Sequence, residues 1–186
     1  MNGVAEILRA IMSLLDDAAI PYMVVGSYAS MVHGEPRTTH DLDIVIDPSP
    51  PALETFLSSI DLNAYYVDAD VARDALRRRS MFNVIDMGSA WKVDLVVRKD
   101  RPFSVEELTR RSPQRIADVD VPTASAEDTI LAKLEWAKAG ASDRQLTDVA
   151  GIVRVRGALL DREYIERWLD ALDVRAEWDR ALTLVT

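Results

Sequence analysis

The chain has 186 residues, a formal net charge of -9, 48% hydrophobic residues and no cysteine. That length suits one domain, or a core with a small helical appendage, and leaves room for a sizeable apolar interior. Without thiols, disulfides, zinc-thiolate sites and thiol catalysis are excluded together, and the acidic balance argues against a general nucleic-acid binder, which gains its affinity by neutralising phosphates with Lys and Arg. The segment Met1 to Glu6 lacks the basic-then-apolar layout of a signal peptide. No apolar run approaches the roughly 20 residues that span a bilayer, so a soluble cytoplasmic protein is expected.

In chain order, Val4, Ile7, Leu8, Ile11, Leu14 and Leu15 recur with a helical period over residues 4–18, which predicts an amphipathic helix. Pro21 then opens the run Tyr22-Met23-Val24-Val25, which Gly26 ends, the pattern of a short buried strand and a turn. Residues 27–32 are helical in pattern and stop at Gly34 and Pro36. From Asp41 to Asp47 the alternation is strict: Leu42, Ile44 and Ile46 share one face, and Asp41 and Asp43 share the other.

Helical pattern returns over residues 51–60 and 70–79, with Tyr65-Tyr66-Val67 as a weak strand between them. Phe82 to Asp86 and Trp91 to Val97 flank Met87-Gly88-Ser89-Ala90 and predict a hairpin. Ser104 with Glu107, Ser125 with Asp128 and Ser142 with Gln145 have the spacing of capping boxes. Only helices are expected beyond Ser125, over about 126–139, 143–156, 162–172 and 175–184. The expected division is a core of residues 1–122 and a helical region of residues 123–186.

Three Asp-x-Asp pairs occur, and Asp68-Ala-Asp70 and Asp118-Val-Asp120 fall where helix caps or loop solvation account for them. Asp41 and Asp43 differ because they head an alternating β-branched strand directly after Arg37-Thr38-Thr39-His40. Two ionised carboxylates held a few ångströms apart repel each other unless a cation lies between them. Asp94 interrupts the apolar run Trp91 to Val97, where an unpaired buried carboxylate would be costly, and it shares its face with Lys92. Magnesium suits three such oxygen ligands while keeping positions for phosphate. A glycine after a buried strand, as at Gly26-Ser27, lets backbone N–H groups approach phosphate oxygens.

Together Gly26-Ser27, Arg37 to Asp43 with its Asp-x-Asp pair, and Asp94 in an apolar strand resemble the DNA polymerase beta-like nucleotidyltransferase superfamily. Ser125-Ala-Glu-Asp128 leading to Lys133, with Arg144 and Asp148 following, resembles the bacterial branch that includes the AbiEii-type toxins. The resemblance implies an α/β (α+β) fold, a mixed sheet with flanking helices and then a C-terminal helical segment. It further implies that Asp41, Asp43 and Asp94 bind Mg2+ or Mn2+ and carry catalysis, and that Gly26, Ser27, Arg37 and Lys133 hold a nucleoside triphosphate. The acceptor hydroxyl, on transfer RNA, a protein or a small molecule, stays open, and the toxin branch adds an antitoxin partner.

On the residues alone Lys133 reads equally as a phosphate ligand or a snorkelling surface lysine, and Arg37 as a phosphate clamp or a partner of Glu35 or of an exposed acid. His40 reads as a hydrogen-bonded turn residue before a general base, and His33 has no partner at metal-ligand spacing. Arg73, Arg77, Arg78 and Arg79, and Arg98, Lys99, Arg101, Arg110, Arg111 and Arg115, read as a solvated helical face or a local basic patch, with Arg77, Arg78 and Arg79 as a local landing site for nucleic acid. The alternative function is a nucleotide-binding or protein-interaction module without catalysis.

Overall fold

A computed structural model describes residues 2–140 and 142–185. The amphipathic N-terminal stripe forms α1 (Asn2–Asp17), which buries Ile7, Leu8, Ile11 and Leu15. Then come β1 (Tyr22–Val24), α2 (Gly26–His33) and β2 (Asp41–Ile46). Ser49 caps α3 (Pro50–Ser59) by accepting the Ala52 N–H, β3 (Tyr65–Val67) follows, and Asp68 caps α4 (Ala69–Arg78). β4 (Met81–Asp86) and β5 (Lys92–Val97) make the expected hairpin, and α5 (Pro102–Arg110) leaves its end. A second hairpin, β6 (Ser112–Ile116) and β7 (Val119–Thr123), precedes α6 (Ala126–Gly140), α7 (Asp143–Arg156), α8 (Arg162–Ala171) and α9 (Arg175–Leu182).

The strands form one mixed sheet in the order β3-β4-β5-β2-β1-β7-β6. β2 runs parallel to β5 and β1 parallel to β7, while the other neighbours are antiparallel. Alternation gives the sheet two unlike faces. Leu42, Ile44, Ile46, Val93, Leu95, Phe82 and Val84 point to one side and pack with Leu53 and Phe56 of α3 and the stripe of α1. Met23, Val45 and Val96 point to the other, where Leu108 of α5 and Ala124 form only a small apolar patch. A separate apolar cluster joins Phe103 to α6, α7, α8 and α9. The sparsely covered face is therefore the one that carries Asp41 and Asp43.

Three local expectations need correction. The β6–β7 hairpin carries no strand signal in the sequence, because Ser-Pro-Gln-Arg-Ile lacks an apolar alternation and two prolines sit opposite each other at Pro113 and Pro122. Pro113 is tolerated since β6 is an edge strand, and Pro122 of β7 lies outside the one position, Val24 opposite Thr123, at which β7 pairs with β1. The turn between them has left-handed backbone at Ala117 (φ 46) and Asp118 (φ 65), conformations normally announced by Asn-Gly. Asp120 consequently lies on a strand, paired with Arg115, and not in a loop.

Ser104 and Glu107 do not cap a helix, because Pro102 starts α5 a turn earlier and places both inside it; the Ser104 hydroxyl accepts from Arg101 Nε at 3.0 Å. Ser142 precedes α7 without a side-chain cap bond, and Gln145 turns instead to Lys133.

Ser125 does cap α6, accepting the Asp128 N–H at 3.1 Å. The Asp128 carboxylate, fully buried, turns inward, where Arg110 of α5 meets it at 3.2 Å and the Tyr164 hydroxyl of α8 donates to it. It thus ties three helices through one charge. Asp128→Ala should leave the Tyr164 hydroxyl without its acceptor and Arg110 with Glu127 alone, and cost about 1 to 3 kcal/mol of stability, read as a lower urea midpoint. A loss below about 1 kcal/mol would show that the network contributes little.

Candidate active site

Parallel pairing sets Asp43 opposite Asp94 and Asp41 opposite Lys92, and paired residues of adjacent strands share a face. All three aspartates therefore stand on the sparsely covered side of the sheet, on its two central strands. Asp41 is exposed, Asp43 half-buried and Asp94 only 7% exposed. Lys92 reaches between them, with its Nζ 3.0 Å from Asp94 Oδ2 and 3.6 Å from Asp41 Oδ1. Its bond to Asp94 raises the lysine pKa despite some desolvation. From β4, Asn83 donates to the other oxygen of Asp94.

Burial raises the Asp43 pKa, and repulsion from Asp94 and Asp41 adds to it; the Ser27 N–H and Lys133 act in the opposite direction. Among the described residues no three His, Cys, Asp or Glu side chains are drawn tightly enough to hold an ion as they stand. The donor set nonetheless fits a hard divalent cation. It consists of carboxylate oxygens on one face, it is self-repelling, and a lysine ammonium already sits where positive charge is needed.

The chain turn at Gly26 is held against these carboxylates. Gly26 has φ +61, and a Cβ built on it would lie 2.1 Å from Asp43 Oδ2, so only glycine fits both the backbone and the space. α2 starts there, which directs its first N–H groups toward the Asp43 side of the cleft.

Lys133 comes from α6 to the same place. It is 4% exposed and donates to Asp148 Oδ2 at 2.7 Å and to Gln145 Oε1 at 2.9 Å, which overturns the snorkelling alternative. Burial lowers its pKa, while Asp148 opposes that effect. Arg37 joins the group by donating to the Ser27 hydroxyl and standing 3.2 Å from Asp148 Oδ1, not beside Glu35, which pairs with Arg154. Two cations thus share Asp148, and the buried Arg37 Nε has no aligned acceptor among the described residues. That surplus of donors beside a helix N-terminus suits a polyanion. Arg144 is exposed on α7 and does not join them.

Part of this group lines one end of a cleft of about 500 Å³. Asp43, Gly26, Ser27, Lys133 and Gln145 mark that end; Val45 and Val96 lie farther along the floor, and α5 and α6 form the walls.

Sequence reasoning missed two features of this cleft. One is the Lys92 bridge, visible only through the strand register. The other is Glu107, which is buried in the wall and whose pKa burial pushes up to about 8. Its signal was an acid on the inward side of an amphipathic helix, masked by the apparent capping box.

The remaining candidates lie elsewhere. His33 is buried and bonded to the Ala124 carbonyl at 2.7 Å, and Arg156 approaches its other ring nitrogen at 3.0 Å. His40 is exposed and tilted over Trp91. The basic clusters are largely paired within the chain: Arg73 with Glu54, Arg77 and Arg78 with Asp74, Arg79 and Arg98 with Asp47, and Arg101 with Glu135. None of the described helices is long and apolar enough to cross a membrane.

No protein-family model matches the sequence, and no curated protein matches it. Solved structures do resemble it. The solution structure of the antibiotic-resistance factor ANT(2'')-Ia aligns with a TM-score of 0.60 at 14% identity, over 94% of both chains. The crystal structure of ANT(2'')-Ia in complex with adenylyl-2''-tobramycin gives 0.59 at 15% identity, over 95% of this chain and 99% of that one. The lincosamide antibiotic adenylyltransferase LnuA, lincomycin-bound, gives 0.52 at 13% identity, over 78% of this chain and 93% of that one. The mixed sheet with its flanking helices is thus a nucleotidyltransferase fold.

Proposed function

We propose that the chain is a divalent-metal-dependent nucleotidyltransferase that moves a nucleoside monophosphate from an NTP to a hydroxyl of a small-molecule acceptor. The observation that carries this reading is the meeting of Asp43, the Gly26 turn and Lys133 at one end of one cleft, with Asp94 opposite Asp43 and Asp41 on the same sheet face, and with Arg37 joined to Lys133 through Asp148. Fold alone does not assign chemistry. The donor set supports the reading, because phosphoryl chemistry asks mainly for positioning and for charge against developing negative charge.

In this reading Asp41, Asp43 and Asp94 would hold Mg2+ or Mn2+, which when bound supplies charge neutralisation for the triphosphate and acidity for the acceptor hydroxyl. The backbone N–H groups after Gly26 and the Ser27 hydroxyl bind phosphate oxygens, and Lys133 and Arg37 balance their charge. The acceptor oxygen forms its bond to the α-phosphorus as the bond to the bridging oxygen breaks and pyrophosphate leaves with that electron pair. The hydroxyl proton passes to Asp94, which Lys92 and Asn83 hold in place.

A small acceptor is favoured over a large nucleic acid because the arginines that would meet a phosphate backbone are paired within the chain, and the net charge is -9. The solved neighbours with adenylyl-2''-tobramycin and lincomycin point the same way. The antitoxin expected from the AbiEii-type branch gains less support, since Asp128 of that pattern is spent on internal packing and Arg144 stands apart.

The test is pyrophosphate release from each NTP with Mg2+ across a panel of hydroxyl-bearing small molecules, transfer RNA and protein extract. Release that depends on a small acceptor and disappears in Asp94→Asn is the expected result. Tight NTP binding with no turnover on any acceptor would favour the non-catalytic module.

A further inference from the structure

The cleft continues beyond the groups that the proposed chemistry uses. Moving along β2 from Asp43, the next residue on that face is Val45, and Val96 stands beside it on β5, so the floor turns apolar. On α6, Trp136 follows Lys133 by about one turn and also lines the cleft, yet it is 63% exposed. An indole held open at the rim of a cavity is unusual for a residue type that normally finds cover. Ser104 and Glu107 of α5 and Thr129 and Ala132 of α6 complete this part of the wall.

Glu107 is the decisive group. It is 6% exposed, it lines the cavity, and no described residue hydrogen-bonds its carboxyl. The charged groups around it are Asp128 and Glu135 on α6 and Arg101 and Lys99 ahead of α5. Arg101 is committed to Glu135 in a two-pronged pair at 2.5 and 2.6 Å and forms no hydrogen bond to Glu107, while Asp128 repels a charge there. Burial keeps the acid protonated at neutral pH. A neutral carboxyl with no protein partner and its oxygens not fully enclosed offers one O–H donor beside one carbonyl acceptor to the cavity that it lines.

On the nucleotidyltransferase reading above, we propose that this part of the cleft receives the base of the donor nucleotide, with Trp136 against its face and the Glu107 carboxyl on its hydrogen-bonding edge. Every nucleobase carries a ring or carbonyl acceptor next to an N–H donor, which matches the neutral acid atom for atom. Its flat apolar faces suit the Val45 and Val96 floor and the indole at the rim. A polyhydroxyl or polycationic acceptor would instead call for ionised, water-exposed partners, and the one other acid lining the cavity beyond Asp43, Glu135, is already neutralised by Arg101.

Calorimetry with ATP, GTP, CTP, UTP and inorganic tripolyphosphate, each with Mg2+, tests this on the full chain and its variants. Glu107→Leu and Trp136→Ala should each weaken NTP binding about tenfold and leave tripolyphosphate binding unchanged. Glu107→Gln, which keeps a donor beside an acceptor, should retain NTP affinity. NTP affinity unchanged in both Glu107→Leu and Trp136→Ala overturns the base assignment while leaving nucleotidyl transfer standing. Loss of turnover at unchanged NTP affinity overturns it in favour of an acceptor site. Failure of the wild-type chain to bind either NTPs or tripolyphosphate defeats the nucleotidyltransferase reading itself, and the base site with it.

Discussion

Asp43→Asn is expected to lower nucleotidyl transfer about a thousandfold or more while leaving the metal-free fold at least as stable as the parent. The activity loss follows from position: Asp43 stands opposite Asp94 in register, two residues from Asp41 on the same face, and against the Gly26 turn, so it is the carboxylate nearest both the proposed metal and the proposed phosphate. The stability argument runs the opposite way. Asp43 is a half-buried anion beside two others, and its raised pKa records that the folded chain resists its charge. Neutral Asn relieves that repulsion and keeps an acceptor for the Ser27 N–H, a gain of about 1 kcal/mol. Single-turnover kinetics and urea unfolding on one preparation check both halves. A variant that loses activity and stability together would mean that Asp43 holds the turn, and that its catalytic role is unproven.

The same residues show how much of the molecule is legible in its sequence. The facing of Asp41 and Asp43 follows from period-two alternation, and the Gly26 turn from a glycine closing an apolar run. Most helices announce themselves by apolar stripes and caps. What stayed hidden depends on register or on tertiary burial. Lys92 belongs between Asp41 and Asp94 only because β2 and β5 pair in parallel with that offset. Lys133 looks like a snorkelling residue until Asp148 and Gln145 of α7 close over it. The β6–β7 hairpin hides because Ala117-Asp118 adopts a turn usually coded by Asn-Gly, and because an edge strand tolerates proline. Glu107 hides best of all, since its spacing from Ser104 imitates a cap while the helix begins at Pro102.

Glu107 also yields the largest expected dependence of stability on pH. Its pKa rises from the ordinary 4.5 to about 8, chiefly through burial, with Asp128 adding repulsion. Between those two values the folded chain holds a proton that the unfolded chain has released. This contribution is therefore complete below about pH 4.5, declines as pH rises, and is gone above about pH 8. Its span is on the order of 5 kcal/mol. Glu107→Gln has no proton to lose, so its stability relative to the parent should be near zero at pH 5 and several kcal/mol greater at pH 9, read from urea midpoints across that range. Parallel curves for the two proteins would show that Glu107 is solvated through the cleft and ionises normally. If the curves diverge as expected, the chain keeps an acid where an amide would be more stable at alkaline pH, which is the signature of a group retained for what it contacts in the cleft and not for the fold.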